Sequence, residues 1–303
     1  MSKDRWLFIV NPVAGRGRAA HELPRIEHLL RSYKLPAKIL LTRNSGHATA
    51  IAGERMLQGF EKICVVGGDG TLHEVVNGVM DSGRARRARL AILPLGGGND
   101  FARGLGIPRD WPQALNLILQ GDVRTVDVGR IEDTWFINAL GIGLDARVAW
   151  HAQRIARLNG LPRYLAAALK ALAERPRFAF DVKLDDQLFR GRFLLATVGM
   201  SRYCGGGFQL TPDARPDDGL FDLCFVDAMP LLKTLFLLPL AIRGRHTGRK
   251  EVRIMRSARV EVRSRQPLPV YMDGEIPRLR NACHFSIKLY AAQLAFIAPP
   301  EAV

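Results

Sequence analysis

Lys62-Ile63-Cys64-Val65-Val66-Gly67-Gly68-Asp69-Gly70-Thr71-Leu72-His73-Glu74 decides the fold. The run Ile63–Val66 is apolar and mostly β-branched, so it reads as a buried strand. The glycines that follow allow sharp bends and close approach of backbone to a ligand. A helix opening at Leu72 would turn its free N–H groups toward that loop, which is the geometry that holds a phosphate. Asp69 can hold a metal-bound water or orient donors around a polyphosphate. No Gly-Lys-Ser/Thr follows, so this is not the common P-loop pattern.

Two further loops repeat the arrangement. Asn11-Pro12-Val13-Ala14-Gly15-Arg16-Gly17 follows the apolar run Trp6–Val10, and Pro94-Leu95-Gly96-Gly97-Gly98-Asn99-Asp100 follows Leu90–Leu93. Asn99 and Asp100 suit either a helix cap or a ligand contact. Strand-like and helical runs alternate through the first third of the chain, as in a parallel sheet covered by helices. In such folds the loops after the strands meet at one edge of the sheet, so a crevice for a phosphate-bearing ligand is expected there.

From about Thr125 the pattern becomes one of half-buried antiparallel strands, including Thr125–Ile131, Trp135–Ile142, Leu223–Val226 and Phe285–Leu289, with helices at Ala146–Leu158 and Tyr164–Ala173. The expected fold is therefore α/β + β. Residues 1–130 form a Rossmann-like parallel domain, 131–290 an antiparallel β-sandwich-like domain, and 291–303 a segment returning to the first, with the active site in the cleft between the domains.

With 48% hydrophobic and 24% charged residues, the chain is no disordered polymer. Lys plus Arg number 44 against 29 Asp plus Glu, a formal charge of +15, which favours anionic partners. No nucleic-acid reader motif is present, so no specific nucleic-acid partner is expected. The four cysteines are far apart and read as reduced thiols of a cytoplasmic protein. The start of the chain has no signal-peptide pattern. Ala228–Ile242 is too short to cross a bilayer, where roughly 20 apolar residues are needed. Followed by Arg243, Arg245, His246, Arg249 and Lys250, it suits peripheral docking on an anionic membrane or packing on the β domain.

The three loops, together with Asn138-Ala139-Leu140-Gly141-Ile142-Gly143-Leu144-Asp145, Pro216-Asp217-Asp218-Gly219-Leu220-Phe221-Asp222 and Asp273-Gly274-Glu275, resemble in order and content the bacterial diacylglycerol kinase-like lipid kinases. These are relatives of sphingosine and ceramide kinases and, more distantly, of NAD kinases. The resemblance spans nearly the whole chain. It implies nucleotide contacts from Asn11, Pro12, Val13, Ala14 and Gly15, from Thr42, and from Gly67, Gly68, Asp69, Gly70, Thr71, Leu72 and His73. Gly97 stands where relatives usually carry Thr, which removes one hydroxyl from the nucleotide side. Asp273 and Glu275 resemble the catalytic acids, with Glu275 favoured as the base that takes the proton of the lipid hydroxyl and Asp273 close behind. Asp69 completes the catalytic set. Asp218, with the carbonyls of Arg215 and Leu220, resembles a magnesium loop.

The function this implies is transfer of a phosphoryl group from ATP, with Mg²⁺, to a lipid hydroxyl. Diacylglycerol is the first acceptor, and phosphatidylglycerol or a sphingoid base are the alternatives. NAD kinase and a nucleotide-responsive membrane module without catalysis are the rivals, and a homodimer is compatible with either.

Overall fold

The computed structural model describes residues 5–155, 157–158, 160–174, 176–185, 187–277, 279 and 282–300. Two compact units are present, Met1–Val126 with Ala292–Val303, and Asp127–Ala291.

In the first unit Trp6–Val10 (β1) is buried at every position, as a strand covered on both faces must be. Ala14–Ser32 (α1), Ala37–Leu41 (β2), His47–Leu57 (α2), Lys62–Gly67 (β3), Asp69–Asp81 (α3), Arg89–Pro94 (β4), Asp100–Gly104 (α4) and Trp111–Gln120 (α5) follow. The sheet runs β2-β1-β3-β4, all parallel. The chain leaves β1 toward β2 on one side and comes back to β3 on the other. At such a reversal the loops leaving the two strands diverge and open a crevice at their carboxyl ends. The loops after β1 and β3 both begin at this point.

Two local contacts brace the helices behind that crevice. A Cβ on Gly78 would lie 2.2 Å from the Thr49 carbonyl, so α2 and α3 cross at a separation only glycine permits. Glu74 accepts the main-chain N–H groups of Gly46 and Ala48 at 2.9 and 3.0 Å, capping α2 from α3. The capping carboxylate comes from a neighbouring helix because Gly46 has no side chain to do it.

The second unit contains Thr134–Phe136 (β6), Ala139–Gly143 (β7), Leu144–Gln153 (α6), Gly160–Ala173 (α7), Phe178–Leu184 (β8), Gln187–Gly199 (β9), Phe221–Asp227 (β10), Leu231–Ile242 (α8), Val252–Ser257 (β11), Arg259–Ser264 (β12) and Val270–Met272 (β13). Asp122–Ile131 (β5) and His284–Ala298 (β14) belong partly to each unit. β9 is the hub: β10 lies along one edge, while β8 and then β7 share the other. β11 extends the sheet beyond β10, β12 beyond β8 and β13 beyond β7, all antiparallel. In β14, His284–Lys288 pair with β12, whereas Ala295 and Phe296 pair in parallel with β4. Phe136, Phe193, Phe221, Val260 and Ile287 are among the buried side chains of the inner face. Each contributes about 1.5–3 kcal/mol, so this apolar layer is the main stabilising term of the unit.

The strands differ from expectation in two places. Trp135–Ile142 is not one strand: β6 stops at Phe136 and β7 starts at Ala139, because the N–H groups of Ile137 and Asn138 point at the Asp273 carboxylate instead of into a ladder. Phe285–Leu289 is the start of a strand of 15 residues.

Candidate active site

The three glycine loops meet backbone to backbone. Leu95 donates its N–H to Gly67 O at 2.9 Å, Asn11 donates its N–H to Val66 O at 3.0 Å, and Asn11 Nδ2 donates to Thr71 Oγ1 at 3.0 Å. A Cβ on Gly15 would come within 2.2 Å of Leu95 O, and a Cβ on Gly96 within 2.3 Å of Gly68 Cα. These glycines are therefore required by loop-to-loop contact, in addition to any ligand. Asn99 locks the third loop, accepting the Gly96 N–H at 3.1 Å and donating to Gly96 O at 3.0 Å from a left-handed backbone, φ +55°. It thus acts as a staple within the loop.

Gly15, Arg16 and Gly17 adopt φ of 59°, 63° and 87° before the regular part of α1 begins. The Gly17 N–H is donated to Val13 O at 3.2 Å, which closes this left-handed turn. Asp69 lies in the first turn of α3, and its Oδ1 accepts the Phe101 N–H at 3.3 Å. Pro12 and Ala14 are half-buried and Val13 is exposed. Thr42 is buried just after β2, its N–H donated to Val10 O at 2.8 Å. Leu72 and His73 are buried in α3, with Asn77 Nδ2 lying 3.4 Å from His73 Nε2. Both face inward, whereas Gly68, Asp69 and Gly70 at the start of α3 stay half-buried. Gly97 is exposed.

The contrast between two adjacent glycines gives a test. Gly96→Ala should push the second and third loops apart, costing about 1–3 kcal/mol. Gly97→Thr, on open surface, should shift stability by no more than about 0.5 kcal/mol. Calorimetric melting of the two variants checks both.

In the second unit Asp273 and Gly274 have φ of +48° and +91°, and Met272 and Glu275 exchange both main-chain hydrogen bonds at 2.8 Å. This is a two-residue type I′ hairpin turn, for which Asp-Gly is a preferred sequence. Asp273 is 6% exposed, and its carboxylate accepts three N–H groups: Ile137 on Oδ2 at 2.9 Å, and Asn138 and Ala139 on Oδ1 at 2.9 and 3.1 Å. Its own N–H goes to Ala139 O at 2.9 Å. Asp273 is thus committed to positioning, whereas Glu275 is exposed. Of the two acids, Glu275 has the access that a proton acceptor needs.

The loop before β10 is closed by side chains. Asp127 in β5, 2% exposed, accepts the Gly219 N–H at 2.7 Å and donates its own N–H to Pro216 O at 2.7 Å. Asp218 Oδ1 accepts the Leu220 N–H at 3.2 Å, while Oδ2 accepts from Arg256. Arg215 reaches Asp217 at 3.6 Å. Asp222, 4% exposed, has its carboxyl pushed up to about 6, by burial first, with the Arg256 charge opposing and Asp218 and Asp213 adding to the rise. The oxygen donors suit a hard cation. Arg256 nevertheless already holds the carboxylate that would lead such a site.

α8 and α7 cover a cavity of about 70 Å³ whose walls include Leu144, Tyr164, Leu195, Phe208 and Leu238. The polar groups on it are few. Asp145, in the first turn of α6, accepts a hydrogen bond from Thr197 Oγ1. Burial pushes its carboxyl up to about 7, the Thr197 bond acting in the opposite direction. His246 is fully buried, with Nε2 3.1 Å from Leu210 O, and burial lowers its pKa. It therefore lies outside the exposed basic cluster in which its sequence neighbours place it. On the other face of α8, Leu232 and Phe236 are 71% and 78% exposed.

Asp145 sets a pH dependence. Its folded-state value lies above the ordinary 3.8, so the folded protein binds the extra proton and stability falls as pH rises from about 4 to about 7. Asp145→Asn should therefore stabilise the protein by roughly 2–4 kcal/mol above pH 7 and by almost nothing near pH 4. Denaturant melts across that range give the difference directly.

Asp145 closes the Asn138–Asp145 motif, but no role is read from it there, and Asp127 and Arg256 carry no motif of their own. The signal available for Asp127 is a single acid within an otherwise apolar run, and for Arg256 there is none short of strand register.

Residues 5–131 match the diacylglycerol kinase catalytic domain, and residues 138–281 the YegS C-terminal NAD kinase beta sandwich-like domain. A diacylglycerol kinase of Staphylococcus saprophyticus is 30% identical over 274 residues, 90% of this chain and 89% of that protein. The diacylglycerol kinase of Staphylococcus carnosus is 29% identical over the same shares of each chain. A crystal structure of a diacylglycerol kinase from Bacillus anthracis str. Sterne has a TM-score of 0.81 at 27% identity, covering 99% of both chains. With both halves matched in order and the likeness to Staphylococcus saprophyticus running almost end to end, the chain that builds these loops and this turn belongs to the diacylglycerol kinase family.

Proposed function

We propose that this chain transfers the γ-phosphoryl group of ATP to the hydroxyl of a membrane lipid, with diacylglycerol as the first acceptor and phosphatidic acid as the product. The observation that carries the reading is the Asp273-Gly274 turn, which keeps Glu275 exposed by committing Asp273 to three main-chain donors. An exposed carboxylate on a rigid turn is suited to accept the proton of an attacking hydroxyl.

On the nucleotide side, the N-terminus of α3 offers main-chain N–H groups to the polyphosphate, with the glycine turn after β1 packed beside it through Leu95. Asp69, anchored through one oxygen to Phe101, is the carboxylate nearest those groups in sequence and the residue expected to face the metal that accompanies ATP. When bound, Mg²⁺ supplies charge neutralisation on the transferring phosphates. The missing hydroxyl at Gly97 lowers nucleotide affinity without touching the glycine contacts that shape the cradle.

Apolar surface favours a lipid acceptor over a soluble one. Leu232 and Phe236 project from α8, and Arg243, Arg245, Arg249 and Lys250 follow it in the chain. Such a pairing fits an anionic bilayer surface, each basic residue adding about 1 kcal/mol. No helix among the described residues is long and apolar enough to cross a membrane.

The test is an acceptor panel: labelled ATP and Mg²⁺ with diacylglycerol, phosphatidylglycerol or a sphingoid base in mixed micelles, and NAD in solution. Label in diacylglycerol supports the full reading. Label in another lipid moves the acceptor, and label in NAD alone, or in nothing while ATP still binds, defeats it.

A further inference from the structure

The resemblance to diacylglycerol kinases implies a magnesium ion on Asp218 and the carbonyls of Arg215 and Leu220, yet the register of the sheet delivers a different cation. Arg256 in β11 is the direct cross-strand partner of Asp222 in β10. From that position its Nη2 donates to Asp218 Oδ2, and its Nε lies 3.7 Å from Asp222 Oδ2. One guanidinium therefore faces two carboxylates, with Asp213 adding a third negative charge to their surroundings. Asp222 is 4% exposed and its Oδ2 has no hydrogen-bond partner among the described residues, so the charge of Arg256 is what offsets it.

The remaining oxygen of Asp218 is occupied by the Leu220 N–H, and Asp127 ties down Gly219 and Pro216. The loop is thus tied together by a half-exposed positive group that cannot lose its proton. A divalent ion entering here would have to share Asp218 with that charge.

We propose that Arg256 is the resident cation of the 215–222 loop, holding Asp218 and Asp222 together so that the loop folds without a divalent metal. Removing the guanidinium leaves two unscreened carboxylates beside main-chain carbonyls, a donor set that suits a hard cation. Mg²⁺ then gains the site that Arg256 denies it. The proposal concerns the loop alone and is independent of the metal that accompanies ATP.

Thermal melting of the full chain without nucleotide or lipid tests it, so the outcome does not depend on whether the kinase reading holds. Wild type should melt at the same temperature in EDTA and in millimolar Mg²⁺, to within about 1 °C. Arg256→Met should melt lower in EDTA and recover most of the loss as Mg²⁺ is added, whereas Arg256→Lys should stay near wild type and respond weakly. Mn²⁺ binding followed by electron paramagnetic resonance on wild type gives a measurement that no variant's folding can spoil, and no submillimolar site is expected. The proposal is overturned if wild type gains as much from Mg²⁺ as Arg256→Met, or if Arg256→Met in EDTA is as stable as wild type. A submillimolar Mn²⁺ site in wild type that Asp218→Asn abolishes would overturn it equally.

Discussion

Glu275→Gln should lower lipid phosphorylation by roughly 10²–10⁴-fold, the usual worth of a positioned proton acceptor, while melting temperature and ATP affinity stay at wild-type values. The reasoning is geometric. Glu275 contributes its main chain to the hairpin, where it pairs with Met272 in both directions at 2.8 Å, and glutamine preserves those bonds. Its side chain is exposed, so no buried contact is lost. What changes for the reaction is basicity, since an amide oxygen cannot take a proton from an alcohol at neutral pH. A loss of kcat with unchanged melting separates this residue from its neighbour.

Asp273→Asn, by contrast, should destabilise the second unit by about 3 kcal/mol, because a carboxylate that accepts three N–H groups is replaced by a side chain with a single acceptor oxygen. Whichever way the amide turns, its NH₂ faces an N–H of Ile137, or those of Asn138 and Ala139. Melting should fall by roughly 6–12 °C for a unit of this size. Activity falls with it, since the turn that presents Glu275 is no longer pinned to residues 137–139. Calorimetry and kinetics on the two variants together decide the assignment: activity loss without destabilisation at one acid, and both losses at the other.

The same pair shows which features could be read in advance. Asp-Gly between short apolar runs is a local signal, and it predicts the turn that is found. The glycine loops are equally local, because backbone packing such as Gly68 on Gly96 demands glycine wherever it occurs. The α/β followed by β architecture follows from the change in hydrophobic period near Thr125. What could not be read depends on contacts between distant residues. Asp273 and Ile137 are separated by 136 positions, and Asp127 and Gly219 by 92. The pairing of Arg256 with Asp222 exists only because β10 and β11 settle in one register, and a shift of one residue would send Arg256 to the other face. His246 is another case: it sits in a basic stretch yet turns into the core beside Cys224 and Leu210.

Burial also divides the nucleotide motif in a way composition cannot. Gly68, Asp69 and Gly70 present the start of α3, while Leu72 and His73, two residues further on, are committed to packing. The loops at the β1–β3 reversal pack main chain on main chain at Gly15, Gly68 and Gly96, which explains why their sequence signature is glycine.

In the proposed reaction Glu275 takes the proton of the lipid hydroxyl as phosphate is transferred from ATP. The most direct measurement incubates wild type and Glu275→Gln with γ-labelled ATP, Mg²⁺ and diacylglycerol in mixed micelles and follows label into lipid. Labelled phosphatidic acid is expected from wild type and a rate at least about a hundredfold lower from the variant, with ATP bound equally by both. Equal labelling by the two proteins, or no labelled lipid from a wild type that binds ATP, would contradict it.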